Sequence, residues 1–223
     1  IYAGHVAALV EQGEIPLAVV DEAVRRVLHV KAAIGLFDDP YRSLDVEREA
    51  DQSHIAAHDA LARDCSRRSI VLLKNEGDVL PLRKSGQRIA LIGPFGSDTD
   101  NLGGCWNIFG DASRMVDIER GLRAALDDAA SLVVVPGCGI EETLEGGIDA
   151  AVAAAHDADV VLLAVGEPSE FSGEAQSRTQ IVLPPVQQAL AEAVAATGTP
   201  VVVLLRNGRA LALEGAVRDA QAI

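Results

Sequence analysis

Four short, uniformly apolar runs constrain this chain more than any other feature: residues 88–92, 132–135, 160–165 and 201–205. Each is too short for a helix and lacks the alternation of a strand with one wet face, so each reads as a strand covered on both sides. Helical patterns stand between them at 116–126, 147–156 and 185–196. Strand and helix in alternation are the mark of a mostly parallel sheet with helices on its faces, so the predicted fold class is α/β.

The N-terminal part has a different rhythm. After Pro16, which suits a first helical turn, Val20, Ala23, Val24, Val27, Leu28 and Ile34 recur at three- and four-residue steps, and Gly35 stands where a helix C-cap belongs. Arg25, Arg26 and Lys31 lie on the opposite side, so the apolar stripe needs a partner that forty residues hardly supply themselves. Asp38-Asp39-Pro40 breaks the pattern, and the polar stretch 41–53 reads as a linker. A second helical stretch runs from Ile55 to about Lys74. The chain begins without Met and ends at Ile223 with no polar tail. A piece of a longer polypeptide is expected.

With 19 Lys and Arg against 33 Asp and Glu, the formal charge of −14 makes nucleic acid and anionic membrane poor partners. No apolar run reaches the roughly 18 to 20 residues of a membrane-spanning helix. Three scattered cysteines, Cys65, Cys105 and Cys138, make no disulfide framework and no CxxC pair, although pairing of Cys105 with Cys138 stays open.

Reactive groups in open α/β sheets collect in loops beyond the carboxyl ends of the strands. The loop after the third run carries Glu167, Glu170, Glu174 and Arg178, and its length without regular structure points to function. The loop after the first run holds Trp106, Phe95 and Phe109 among glycines, the composition of a platform that packs a flat ring on a small molecule. Gly137-Cys138-Gly139 begins like a dinucleotide motif, but Glu142 stands at its third glycine position and would repel phosphate. His54 and His58 lack the Glu and third ligand of a zinc hydrolase helix. No metal and no cofactor is implied.

Taken in order, several motifs are specific together. They are Asp21-Glu22-Ala23-Val24-Arg25-Arg26-Val27-Leu28, Leu72-Leu73-Lys74-Asn75-Glu76-Gly77 before Leu80-Pro81-Leu82, Ile89-Ala90-Leu91-Ile92-Gly93-Pro94, Gly104-Cys105-Trp106, Gly173-Glu174-Ala175-Gln176-Ser177-Arg178 and Asn207-Gly208-Arg209. Their order resembles glycoside hydrolase family 3, the β-glucosidase family. The resemblance implies an N-terminal (β/α) barrel, a linker and a C-terminal α/β sandwich whose loops complete the active site. Residues 1–40 then correspond to the last helices of the barrel, 41–53 to the linker, and 54–223 to the sandwich, truncated at its C-terminus.

The implied chemistry is retaining hydrolysis of terminal β-linked glucosyl residues from a β-glucoside or oligosaccharide. That mechanism needs a nucleophile and an acid/base about 5 to 5.5 Å apart. The family's Asp nucleophile belongs to the barrel and is outside this sequence; the position matching the acid/base is Glu174, with Glu167 and then Glu170 as runners-up. Arg178 is expected to orient the Glu174 loop. Trp106 and Phe109 are the expected aglycone wall, and Arg178 and Glu167 complete the substrate-binding set. The isolated chain is expected to be inactive, to pack against its own barrel in the full-length protein, and to be periplasmic or secreted as many relatives are. Glucose and xylose remain alternatives for the sugar. The competing reading is a non-catalytic carbohydrate-binding or structural module.

Overall fold

The computed structural model describes residues 2–51, 53–128 and 131–223. Ile1 and Gln52, which fall in the expected terminal helices and linker, lie outside the described residues. The chain divides into two units, Ile1–Ile70 and Val71–Ile223.

The first unit is helical: α1 (Tyr2–Glu11), α2 (Leu17–Ala33), α3 (Val46–Ala50) and α4 (Ile55–Ser69). α2 ends as its sequence suggests. Gly35 takes a left-handed φ of +75°, which lets its N–H reach the Ala32 carbonyl at 3.0 Å and the Leu36 N–H reach that of Lys31 at 2.9 Å. The apolar stripe is uncovered, with Val24, Val27 and Leu28 51%, 57% and 46% exposed. The expected linker contains the five-residue helix α3, capped by the Asp45 carboxylate, which accepts from the N–H groups of Glu47 and Arg48. α4 stops at Ser69, five residues before Lys74, because Ile70 turns to extended backbone with ψ 128°. β-branched Ile70 and Val71 favour that conformation. Compactness groups α4 with this first unit, whereas the sequence reading places residues from 54 onward in the sandwich.

The second unit contains β1 (Ile89–Ile92), β2 (Leu132–Val135), β3 (Val160–Gly166) and β4 (Val201–Arg206), together with α5 (Ile118–Ala125), α6 (Gly147–Asp157), α7 (Pro185–Ala195) and α8 (Gly215–Asp219). The strands are parallel in the order β2-β1-β3-β4, with Leu91 opposite Leu162 and Leu163 opposite Val203. Beyond β4, Ala222 bridges to Val202 and, antiparallel, to Asn75, while the Leu73 N–H donates to the Ile223 carbonyl at 2.8 Å.

Strand side chains alternate between faces, so one uniformly apolar run feeds two cores. On one face Ala90, Ile92, Val161, Leu163, Val165, Val201 and Val203 meet Ala151 and Ala155 of α6, Leu190, Ala191 and Val194 of α7, and Val217 of α8. On the other, Ile89, Leu91, Val160, Leu162, Ala164 and Val202 pack with Phe95 and, from α5, Ile118 and Leu122. This is a three-layer sandwich in which every residue of β1 and β3 is buried. Full burial of one such aliphatic side chain is worth about 1.5 to 3 kcal/mol, which explains why β1 and β3 carry no polar side chain.

The connection from β1 to β2 runs one way across the sheet, and those from β2 to β3 and β3 to β4 run the other. Right-handed crossovers then put α5 on one face and α6 and α7 on the other. The reversal opens a crevice beyond the carboxyl ends of β1 and β3, where open α/β sheets bind ligands.

Candidate active-site cleft

The loop 93–111 leaves β1, and the loop 167–184 leaves β3. Gly93 begins the first with φ +120°, and a Cβ there would lie 2.1 Å from the Ala164 carbonyl oxygen, so the loop departs flush against β3 only because the side chain is absent. Phe95 then turns into the core, fully buried. The Arg206 guanidinium, at the end of β4, lies 4.2 Å above the Phe95 ring and pairs with Asp98. Asp98 accepts from the Asn101 amide at 2.9 Å, and Asn101 Oδ1 accepts from the Ser169 N–H at 2.8 Å. A chain of side chains thus runs from β4 through the first loop into the second.

In the second loop, Glu167 follows β3 directly and its N–H extends the ladder to the Arg206 carbonyl at 2.8 Å. Its carboxylate is wholly buried, with Arg178 Nε 3.5 Å from Oε1 and Arg209 Nε 3.2 Å from Oε2. Arg178 also lies 3.9 Å over the Phe171 ring. Arg209 Nη2 donates to the Phe171 carbonyl and, at 3.3 Å, to Ser172 Oγ.

Glu174 stands exposed between two residues of positive φ, Gly173 at 118° and Ala175 at 61°. A non-glycine residue there costs about 1 to 2 kcal/mol, strain that persists only where the surroundings enforce it. The two loops enclose a cleft of about 410 Å³ lined by Asp100, Trp106, Asn107, Glu170 and Glu174, among others. Cys105 lines the same cleft beside Gly173.

The structure therefore brings Trp106, Glu170 and Glu174 to one cleft. Phe109 is 97% exposed and does not line it. The Arg178 guanidinium goes to Glu167 rather than to Glu174, and Glu167 presents no side-chain surface to the cleft. Cys65, Cys105 and Cys138 are free thiols, which leaves Cys105 and Cys138 unpaired. Burial of Cys138 pushes its thiol up to about 11.

Sequence reasoning assigned no role to Asp98, Asn101, Arg206 and Arg209. Arg209 belongs to the quoted Asn207-Gly208-Arg209 motif, but no spacing links it to a carboxylate more than forty residues upstream. Gln187 had a readable signal: with Leu190, Ala191 and Val194 it shares the buried face of α7. Its amide, wholly buried, bonds both backbone groups of Gly166 immediately before Glu167.

A family model for the glycosyl hydrolase family 3 C-terminal domain matches residues 70–223. The periplasmic beta-glucosidase of Salmonella typhimurium is 37% identical over 246 residues, which cover 100% of this chain and 32% of that protein. A beta-xylosidase of Formosa agariphila is 32% identical over 199 residues, 87% of this chain and 27% of that protein. The crystal structure of a beta-glucosidase from Listeria innocua in complex with isofagomine superimposes with a TM-score of 0.88 at 37% identity, covering 99% of this chain and 30% of that one. The chain spans less than a third of the length of each of these relatives. With its parallel sheet and flanking helices, the chain belongs to glycosyl hydrolase family 3, and residues 70–223 match that family's C-terminal domain.

Proposed function

We propose that this chain supplies the general acid/base, Glu174, to a retaining β-glucosidase acting on terminal non-reducing β-D-glucosyl residues. The Asp nucleophile is carried by a (β/α) barrel that precedes it in the longer enzyme, and residues 1–40 are that barrel's last helices. One observation carries the reading: Glu174 is an exposed carboxyl in a cleft of about 410 Å³ shared with Trp106, between the loops that leave β1 and β3. In the first step the carboxyl protonates the departing glycosidic oxygen while the nucleophile forms a glycosyl-enzyme. In the second the same group, now a carboxylate, takes a proton from the attacking water. Trp106, 66% exposed, offers a ring face to the aglycone. No helix among the described residues is long and apolar enough to cross a membrane. We place the enzyme in the periplasm by analogy with the Salmonella relative.

The test uses the barrel-containing enzyme. Glu174→Gln should lower kcat by about 100-fold or more on alkyl glucosides and cello-oligosaccharides, and far less on aryl glucosides whose leaving groups need no proton. Equal slowing of both classes refutes the assignment. The 223-residue chain alone should hydrolyse neither class. Tight glucose or cellobiose binding by that chain, indifferent to Glu174→Gln, would instead support a non-catalytic binding module.

A further inference from the structure

The geometry points to Glu167, Arg178 and Arg209 as a buckle that holds Glu174 in place, with Glu167 a positioning residue and not an acid. This rests on the acid/base reading of Glu174. Glu167 sits on rigid backbone at the end of β3, and Arg178 lies eleven positions later at the far side of the loop that carries Glu174. Their contact, 3.5 Å between Arg178 Nε and Glu167 Oε1, closes that loop at its base. Arg209 enters from the other side, 3.2 Å from Oε2, and grips the loop's middle through the Phe171 carbonyl and Ser172 Oγ. The Phe171 ring beneath Arg178 fixes the plane of that guanidinium, 3.9 Å away.

The charge arithmetic makes the arrangement asymmetric. One wholly buried carboxylate faces two guanidinium groups, each side chain 24% exposed. Neither Glu167 oxygen has a hydrogen-bond partner of good geometry, so charge pairing is what holds the three together. A buried charge must be paired. Removing one arginine still leaves a one-to-one pair. Removing the carboxylate leaves two cations facing each other at the base of the loop, which is then held only by Arg209 at Phe171 and Ser172 and by Asn101 at Ser169.

Two measurements test this. In the 223-residue chain, hydrogen exchange is followed at Ser169, Phe171, Ser172 and Gln176, whose N–H groups are bonded within the loop or to Asn101. Glu167→Gln should speed them about tenfold or more, a fraction of what breaking a buried charge pair releases, while amides of 160–165 keep their rates. Arg178→Lys should speed them less than Arg178→Ala, and added dilute guanidinium ion should partly restore Arg178→Ala. In the barrel-containing enzyme, Glu167→Gln should lower kcat with little change in KM, and more for alkyl than for aryl glucosides. Unchanged loop amides overturn the buckle. Loosened amides with unchanged kcat, where Glu174→Gln is harmful, overturn the positioning role. If Glu174→Gln slows both substrate classes alike, the acid/base reading falls alone, and the buckle is judged on the exchange rates and the guanidinium rescue. Should Glu167→Gln fail to fold, the Arg178 pair decides the same question.

Discussion

Gln187 is the residue whose replacement most directly separates packing from polar satisfaction. It is wholly buried in α7, and its amide makes three hydrogen bonds: Oε1 accepts from the Gly166 N–H at 2.8 Å, and Nε2 donates to the carbonyls of Gly166 at 3.0 Å and Ile140 at 2.8 Å. Gln187→Leu keeps the volume within what a core tolerates, a change worth less than about 1.5 kcal/mol. It leaves the buried N–H and carbonyl of Gly166 without this partner, each costing about 1 to 3 kcal/mol, and strips the part-buried Ile140 carbonyl of one bond. Because the Ile140 carbonyl keeps some access to water and leucine recovers about 1 kcal/mol of burial, the expected net loss is about 2 to 5 kcal/mol. At a urea dependence of about 2 kcal/mol per molar, the unfolding midpoint of the second unit should fall by about 1 to 2.5 M, with the slope unchanged. Circular dichroism during urea titration measures this, and hydrogen exchange at β3 confirms which unit has loosened. Gln188→Leu serves as control, since Gln188 bonds Glu192 at the helix surface and should shift the midpoint far less. A loss below about 1 kcal/mol for Gln187→Leu would mean that the freed backbone groups are satisfied elsewhere and that this amide does not hold the end of β3.

Burial that raises the Cys138 thiol to about 11 from its ordinary 9.0 favours the protonated form in the folded chain. Unfolded chain therefore ionises first as pH rises, and this group's contribution to stability should be lost between about pH 9 and pH 11. Cys138→Ser should flatten that limb, and at neutral pH iodoacetamide followed by mass spectrometry should label Cys65 and Cys105 while sparing Cys138 until urea is added. Two glycines of positive φ should behave differently. Gly93→Ala drives a Cβ to 2.1 Å from the Ala164 oxygen and should cost about 3 kcal/mol or more, whereas Gly104→Ala meets nothing within 4 Å and should cost only the left-handed backbone penalty of about 1 kcal/mol. Similar urea midpoints for the two variants would refute the close approach of the β1 turn to β3.

The architecture was readable wherever periodicity is the signal. The four apolar runs became β1 to β4 almost to the residue, but only the central strands β1 and β3 are covered on both sides as expected; the edge strand β2 leaves Val133 51% exposed, and β4 is only partly buried over its last three residues and ends in Arg206. Boundaries failed where local pattern competes with pairing. The apolar residues Ile70 to Leu73 continue a helical rhythm on paper, yet Leu73 finds a backbone partner in Ile223, one hundred and fifty residues away. The candidate site divides the same way. Trp106 was named from its loop and Glu174 from its match to the family's acid/base position, and their two loops do line one cleft. Arg178 was named too, but its partner was not: Glu167 and Glu174 are both within eleven residues of it, and nothing in their spacing says which carboxylate turns inward.

By itself, then, the sequence determined the fold class, the strands and helices of the sheet domain, the family, and the loops in which chemistry is to be sought. Hydrophobic period and turn residues are local, and local patterns survive in one dimension. Tertiary structure alone decided that Glu167 is wholly buried between Arg178 and Arg209 while Glu174 stays exposed in the cleft. A carboxylate's role depends on which charges surround it and whether water reaches it, and both are set by strands and loops brought together from β1, β3 and β4.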